Sequence, residues 1–215
     1  MGSKERRARE KNKRIAQIQK AARTVFLKKG YQNATMEEIA TRAEVSKGTV
    51  YFYFKSKDEL YVSLMIPHIE KLRDLLEVFE RRLIEEETGP DFDLIAEVYH
   101  IFVQTYEFDP EGVHIYQIFQ LNDLFPVMPQ ATKDRVVALG QANFTMLRRM
   151  IEFCIERGLL RDVAPLPLVD FLWGAFLGVI QLQKSKRALH HKDHLAGTLR
   201  SGVSALARGL APENH

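Results

Sequence analysis

One cysteine and one tryptophan stand among 215 residues, and no stretch alternates apolar and polar residues at the period of a strand. The single thiol, Cys154, rules out an internal disulfide framework and cannot cage a metal by itself. It reads as a reduced core thiol of a cytoplasmic protein. The longest apolar run, Phe171 to Ile180, is too short to span a bilayer, and no apolar segment follows the basic start MGSKERRAREKNKR. A cytoplasmic location without membrane contact is therefore expected. There is no internal repeat, nucleophile elbow, phosphate loop, HExxH or paired catalytic carboxylate, so an all-α enzyme is the poorest function class open. His190, His191 and His194 form HHxxH, but with no nearby Cys or helical Glu pair they read as exposed or interfacial histidines. No metal or other cofactor is expected.

Apolar residues make up 46% of the chain, enough for a substantial core in one or two compact units. The net charge of +3 hides an asymmetry: residues 1–60 hold fifteen Lys and Arg against seven Asp and Glu, and residues 61–215 hold sixteen against twenty-one. A basic end joined to a mildly acidic body suits a chain of which one end meets a polyanion.

The most informative stretch is TMEEIATRAEVSKGTVYFYF, Thr35 to Phe54. Thr35 is a good N-cap, and Glu38 three places on completes a capping box. Ile39 and Ala40 supply apolar contacts, a turn falls around Ala43-Glu44-Val45, and Ser46 caps a second helix over Lys47–Tyr53. Val45, Val50 and Phe54 can face inward, which leaves Lys47, Thr49, Tyr51 and Tyr53 outside. Such a face has donors to grip phosphates and to read base edges in a major groove.

SKGTVYFYFKSKDEL, preceded by TMEEIATRAEV, resembles the recognition helix and following segment of the TetR/AcrR transcriptional repressors. The likeness covers about the first third of the chain and runs unbroken from Thr35 to Leu60. It departs at Glu44, where the family usually has Gly; a turn residue with positive φ tolerates Glu poorly. By motif matching the resemblance assigns DNA contact to Thr35, Ser46, Lys47, Gly48, Thr49, Tyr51, Phe52, Tyr53 and Lys57. Thr35 at a helix N-terminus can meet phosphate, and Lys47 and Thr49 are placed for base edges. Gly48 permits close approach, while Tyr53 and Lys57 are expected on phosphate.

Residues 1–13 read as a disordered basic arm, either laid along phosphates, entering a minor groove, or simply solubilising. Helix one is expected from Arg14 to Lys29, striped by Ile15, Ile18, Ala22, Val25 and Phe26 and ended by Gly30. The helix-turn-helix domain thus spans 14–60, with 61–215 as the body. Ser56 to Glu59 opens a fourth helix with a second capping box, and Pro67 inside it deletes the N–H that would bond Ser63. A loop over 85–90 precedes a helix from Asp91. Asp109-Pro110 opens another, and Leu124 to Pro129 connects to a long helix closed by Gly158.

Leu168 to Gln183 is apolar almost all round and must be covered on both sides. With the final helix, striped by Leu195, Leu199, Val203, Leu206 and Leu210, it is expected to form a four-helix homodimer interface through Phe171, Gly174, Gly178, Leu199 and Val203. The resemblance implies that arrangement; a purely internal core is the alternative. Family members also typically enclose a small-molecule cavity in the body, and Phe102, Tyr106, His114 and Phe144 are the residues expected to line one here. The fold expected is all-α, an N-terminal three-helix helix-turn-helix DNA-binding domain plus a C-terminal helical ligand-binding and dimerisation domain. The function expected is a dimeric repressor of double-stranded operator DNA, released by a small apolar or aromatic effector. The alternative is a DNA-binding activator or architectural protein whose body binds a protein partner.

Overall fold

In the computed structural model, which describes residues 2–85, 92–121, 125–126, 128–190 and 194–212, the described residues form helices and no strands. They divide into two compact units, residues 1–67 with 110–137, and residues 68–109 with 138–215.

The first unit holds α1 (Ser3–Asn33), α2 (Met36–Arg42), α3 (Lys47–Tyr53), the start of α4 (Lys57–Glu85), α6 (Pro110–Leu121) and the start of α7 (Gln130–Glu156). Ile18, Ala22, Val25 and Phe26 of the expected stripe are buried, together with Ile39, Val50 and Leu60. Burying each large side chain of this set contributes roughly 1.5–3 kcal/mol. Tyr61 sits at the centre, edge-on to Phe26 at 4.9 Å and to Tyr31 at 5.2 Å. Its hydroxyl donates to the Ile115 carbonyl at 2.9 Å, and burial holds its pKa well above the usual phenol range. Through this bond and the Arg23–Glu111 pair at 3.6 Å, α6 belongs with the N-terminal helices and not with the body assigned to 61–215.

Two expectations about α1 are corrected. Residues 3–13 are helical, not disordered, because Arg, Lys, Glu and Ala are good helix formers and extension from an existing helix avoids the cost of nucleation. Arg6 and Glu10 add an i,i+4 pair at 3.1 Å. Gly30, with φ 75° and ψ 167°, breaks the helix as expected, but a further turn follows to Asn33. Pro67 leaves the Ser63 carbonyl without its helical donor, and Gln19 supplies one: its Nε2 lies 3.3 Å from that carbonyl and 3.0 Å from Ser63 Oγ.

The second unit is built from α4 beyond Pro67, α5 (Leu94–Phe108), the rest of α7, α8 (Pro165–His190) and α9 (Leu195–Leu210). The N-cap of α5 is Asp93, whose carboxylate accepts from Ile95 N and Ala96 N; Asp91, the expected start, lies outside the described residues, as do 86–90 of the expected loop. Leu124 and Val127 of the connector also lie outside them. Gly158, at φ 66°, closes α7 in a Schellman motif, with Gly158 N on Ile155 O at 3.0 Å and Leu159 N on Cys154 O at 2.9 Å. Cys154 is fully buried and burial pushes its thiol up to about 11, so it is inert near neutral pH. Helix α8 is longer than its apolar run suggested. Pro165–Arg187 has the length and composition to cross a membrane, but one face is buried within the unit by Val169, Leu172, Trp173, Phe176 and Ile180.

Candidate nucleic-acid interface

Thr35 Oγ1 accepts from Glu38 N at 3.2 Å and so starts α2. Only that half of the expected capping box forms, because the Glu38 carboxylate reaches Lys29 Nζ at 2.7 Å instead. At the far end Val45 N bonds Ala40 O at 3.0 Å and Glu44 N bonds Thr41 O at 3.1 Å, a second Schellman motif. Its left-handed residue is Glu44, with φ 53°. The conformation usually taken by glycine is therefore imposed on a side-chain-bearing residue, at a cost of roughly 1–2 kcal/mol. Gln17 locks the turn from beneath, its Nε2 donating to Ala43 O at 2.6 Å.

Ser46 then caps α3, its Oγ accepting from Thr49 N at 3.1 Å and lying 2.8 Å from Thr49 Oγ1. Pairing with Ser46 leaves the Thr49 methyl as its free part. Val50 is fully buried and anchors the helix, and its C-cap residue, Phe54, is buried as well. The opposite face is open. Tyr51 is 42% and Phe52 70% exposed, and Lys47, Gly48 and Ser46 are exposed while Thr49 and Tyr53 are half-buried. Phe52 stacks edge-on to Tyr53 at 5.0 Å. Lys47 Nζ rests 3.3 Å from Glu37 Oε2, an exposed pair of the kind worth about 0–1 kcal/mol and readily exchanged for a nucleic-acid partner. Nothing in the protein's packing requires glycine at 48, since an added Cβ would meet only Ser46 Oγ, at 3.8 Å.

Lys57 differs from the rest. Its ammonium donates to the carbonyls of Tyr31 (2.9 Å), Ala34 (3.1 Å) and Gln32 (3.4 Å) and lies 4.3 Å from the Tyr31 ring centroid. Three bonds occupy its three N–H donors, so it caps the end of α1 and has none left for phosphate. Tyr31 is held on the other side by Asp58, to which its hydroxyl donates. Lys55, which sequence reasoning passed over, is the exposed cation beside α3; its Nζ reaches the Phe52 carbonyl at 3.3 Å. The second capping box is shifted by one residue: Ser56 Oγ accepts from Glu59 N at 3.1 Å, and the Glu59 carboxylate accepts from Lys55 N at 2.6 Å.

This stretch, residues 18–64, matches the family model described as bacterial regulatory proteins, tetR family. A crystal structure of a bacterial regulatory protein of that family from Rhodococcus RHA1 superposes with a TM-score of 0.71, at 16% identity, over 94% of this chain and 99% of the other. Residues 18–64 form a TetR-type helix-turn-helix domain. Among curated relatives, the HTH-type transcriptional activator FasR of Mycolicibacterium smegmatis is 44% identical over 62 residues, 29% of this chain but only 28% of FasR. The HTH-type transcriptional repressor NicS of Pseudomonas putida is 28% identical over 73% of this chain and 70% of its own length. The all-α architecture, an N-terminal helix-turn-helix followed by a helical domain, is the one expected from the sequence.

The four expected effector residues have different surroundings. Phe102 is fully buried in an aromatic cluster with Trp173 (5.1 Å), Phe176 (5.4 Å) and Tyr99 (5.9 Å). Phe144 lines an open groove of about 370 Å³ with Gln141, Thr145, Arg148 and Leu166. Tyr106 is half-buried in the second unit, whereas half-buried His114 belongs to the first. Of the expected pairing residues, Phe171 is 55% exposed, and Gly174 and Gly178 are exposed with open space around them. Leu199 is buried within its own unit and Val203 is half-buried, because the apolar stripe of α9 is turned towards α5 and α8. His190 and His191 fall outside the described side chains, and His194 is an exposed N-cap.

Proposed function

We propose that this chain is a dimeric TetR-family repressor that reads a palindromic operator with residues Ser46–Tyr53 and is released by a small apolar or aromatic effector. One observation carries the DNA reading. The open face of α3 combines Lys47, Thr49, Tyr51 and Phe52 with a glycine that the fold itself does not need. Exposing two large aromatic rings and placing Gly in a helix both cost stability, and contact with a duplex is what recovers it.

Dimerisation is supported by α8, where Phe171, Gly174, Gly178 and Leu182 fall at i, i+3, i+7 and i+11 on one exposed face. A dimer that reads a palindromic operator presents its two recognition helices to successive major grooves, ~34–36 Å apart. Burial of the opposite face of α8 within its own unit argues against lipid as the cover. The effector reading rests on the aromatic content of the body and on the resemblance to TetR-family regulators.

Selection of bound duplexes from a random-sequence pool tests the proposal. Enrichment of two inverted half-sites separated by one helical turn supports it, and recovery of no preferred sequence refutes it. By linkage, an effector that releases DNA must bind the DNA-bound protein more weakly by the same factor. Equal affinity for free and DNA-bound protein would exclude the switch.

A further inference from the structure

We propose that the N-terminal part of α1 is a rigid ridge that grips the phosphates of one DNA strand, working with Tyr53 beside the groove entered by α3. This rests on the DNA reading above and extends it to residues that the recognition helix does not contain. Arg7, Lys11 and Arg14 follow at i, i+4 and i+7 on one side of a helix that begins at Ser3. With Glu10, Lys13 and Gln17 they line a concavity of about 770 Å³ whose remaining wall is Tyr53, the last residue of α3. The basic ridge and the reader are thus two sides of one recess.

Gln17 fixes that relation. Its Nε2 holds Ala43 O at 2.6 Å in the turn between α2 and α3, while its Oε1 accepts from Arg14 Nη1 at 2.9 Å. Glu10, the one carboxylate among the lining residues, is engaged by Arg6 at 3.1 Å. Four cations therefore face the recess against one paired carboxylate.

Geometry selects the backbone over the minor groove. An extended arm can enter a minor groove about 6 Å wide, but a helix about 10–12 Å across cannot. Arg7 to Arg14 spans about 10.5 Å of helix, and one strand carries a phosphate every ~3.4 Å of axis. That length covers about three phosphate steps of one strand, so each of the three side chains can meet its own phosphate, a contact that carries no sequence information.

The test measures affinity of the full chain for a mixed-sequence duplex and for the best duplex from random-pool selection, each across potassium chloride from about 50 to 200 mM. Each neutralised phosphate contributes about 0.9 to the slope of log affinity against log salt. Arg7→Gln/Lys11→Gln/Arg14→Gln should flatten that slope by about 2.7 per bound subunit on both duplexes, leaving the ranking of sequences unchanged. Arg7→Lys/Lys11→Arg/Arg14→Lys, which keeps charge and helix, should restore it. Lys4→Gln/Arg9→Gln, which removes two cations that do not line the recess, should change it little.

An unchanged slope in the triple Gln variant, or an equal loss in Lys4→Gln/Arg9→Gln, would overturn the ridge while leaving the recognition helix in place. Loss of a flanking A·T preference in the triple Gln variant would put the extension in the minor groove and overturn it too. Failure of the unmodified chain to enrich any sequence would instead remove the DNA reading, and the ridge with it.

Discussion

Replacing Gly48 by Ala separates what the fold needs from what DNA needs. Gly48 is exposed in the first turn of α3, and an added Cβ would lie 3.8 Å from Ser46 Oγ and within 4 Å of nothing else the glycine packs against. The substitution therefore meets no clash in the free protein. It removes the extra backbone entropy that glycine loses on folding, a gain of about 0.5–1 kcal/mol. In a chain of this size such a gain raises the melting temperature by about 1–4 °C. On DNA the sign reverses, because the methyl occupies the space through which the backbone approaches the duplex. A loss of tenfold or more in affinity, about 1.4 kcal/mol, is expected. Thermal melts followed by fluorescence anisotropy on the selected duplex read both effects. A variant that is more stable and binds as before would remove Gly48 from the interface. A less stable variant would refute the account of α3 as a helix whose outer face is unpacked.

Glu44→Gly should stabilise the chain by roughly 0.5–1 kcal/mol, the cost of a left-handed Glu less the added freedom of glycine in the unfolded chain, with Glu44→Asn between the two in denaturant melts. Lys57→Met keeps the apolar stem but strips the donors from the carbonyls of Tyr31 and Ala34; a loss of about 2 kcal/mol by urea denaturation is expected, with the salt slope of DNA binding unchanged. A flatter slope would return Lys57 to the phosphates. Gly174→Arg/Gly178→Arg places two charges on the exposed strip of α8 and should yield folded monomers by sedimentation, with unaltered helix content. Persistent dimers would move the pairing surface elsewhere.

Features encoded within a few residues were legible in the sequence. Thr35, Ser46 and Ser56 cap where their spacing to the first apolar residues says they should, and Gly158 and Gly30 break helices by taking positive φ. Glu44 was recognisable as a misfit because the turn around it is fixed by its neighbours. Features that depend on distant partners were not legible. Lys57 looks like any surface lysine until the end of α1, more than twenty residues earlier, presents three carbonyls to it. Glu38 has a local partner in its capping box and a better one in Lys29. Apolar periodicity marked Phe102 and Leu199 as members of apolar stripes but carried no information on whether a cavity, a partner subunit or a core awaited them. The helical N-terminus escaped for another reason. Its charged residues form no apolar stripe, and their helix propensity matters only because a packed helix is already there to extend.

The most direct test of the DNA reading is Lys47→Ala/Tyr51→Ala, assayed on the selected duplex and on mixed-sequence DNA at one salt concentration. Both side chains stand on the open face of α3, so the fold is expected to survive. With base contacts worth about 1–3 kcal/mol each, specific affinity should fall at least thirtyfold towards the mixed-sequence value, which itself should move little. A double variant that still prefers the selected duplex by the original margin would show that α3 does not read it.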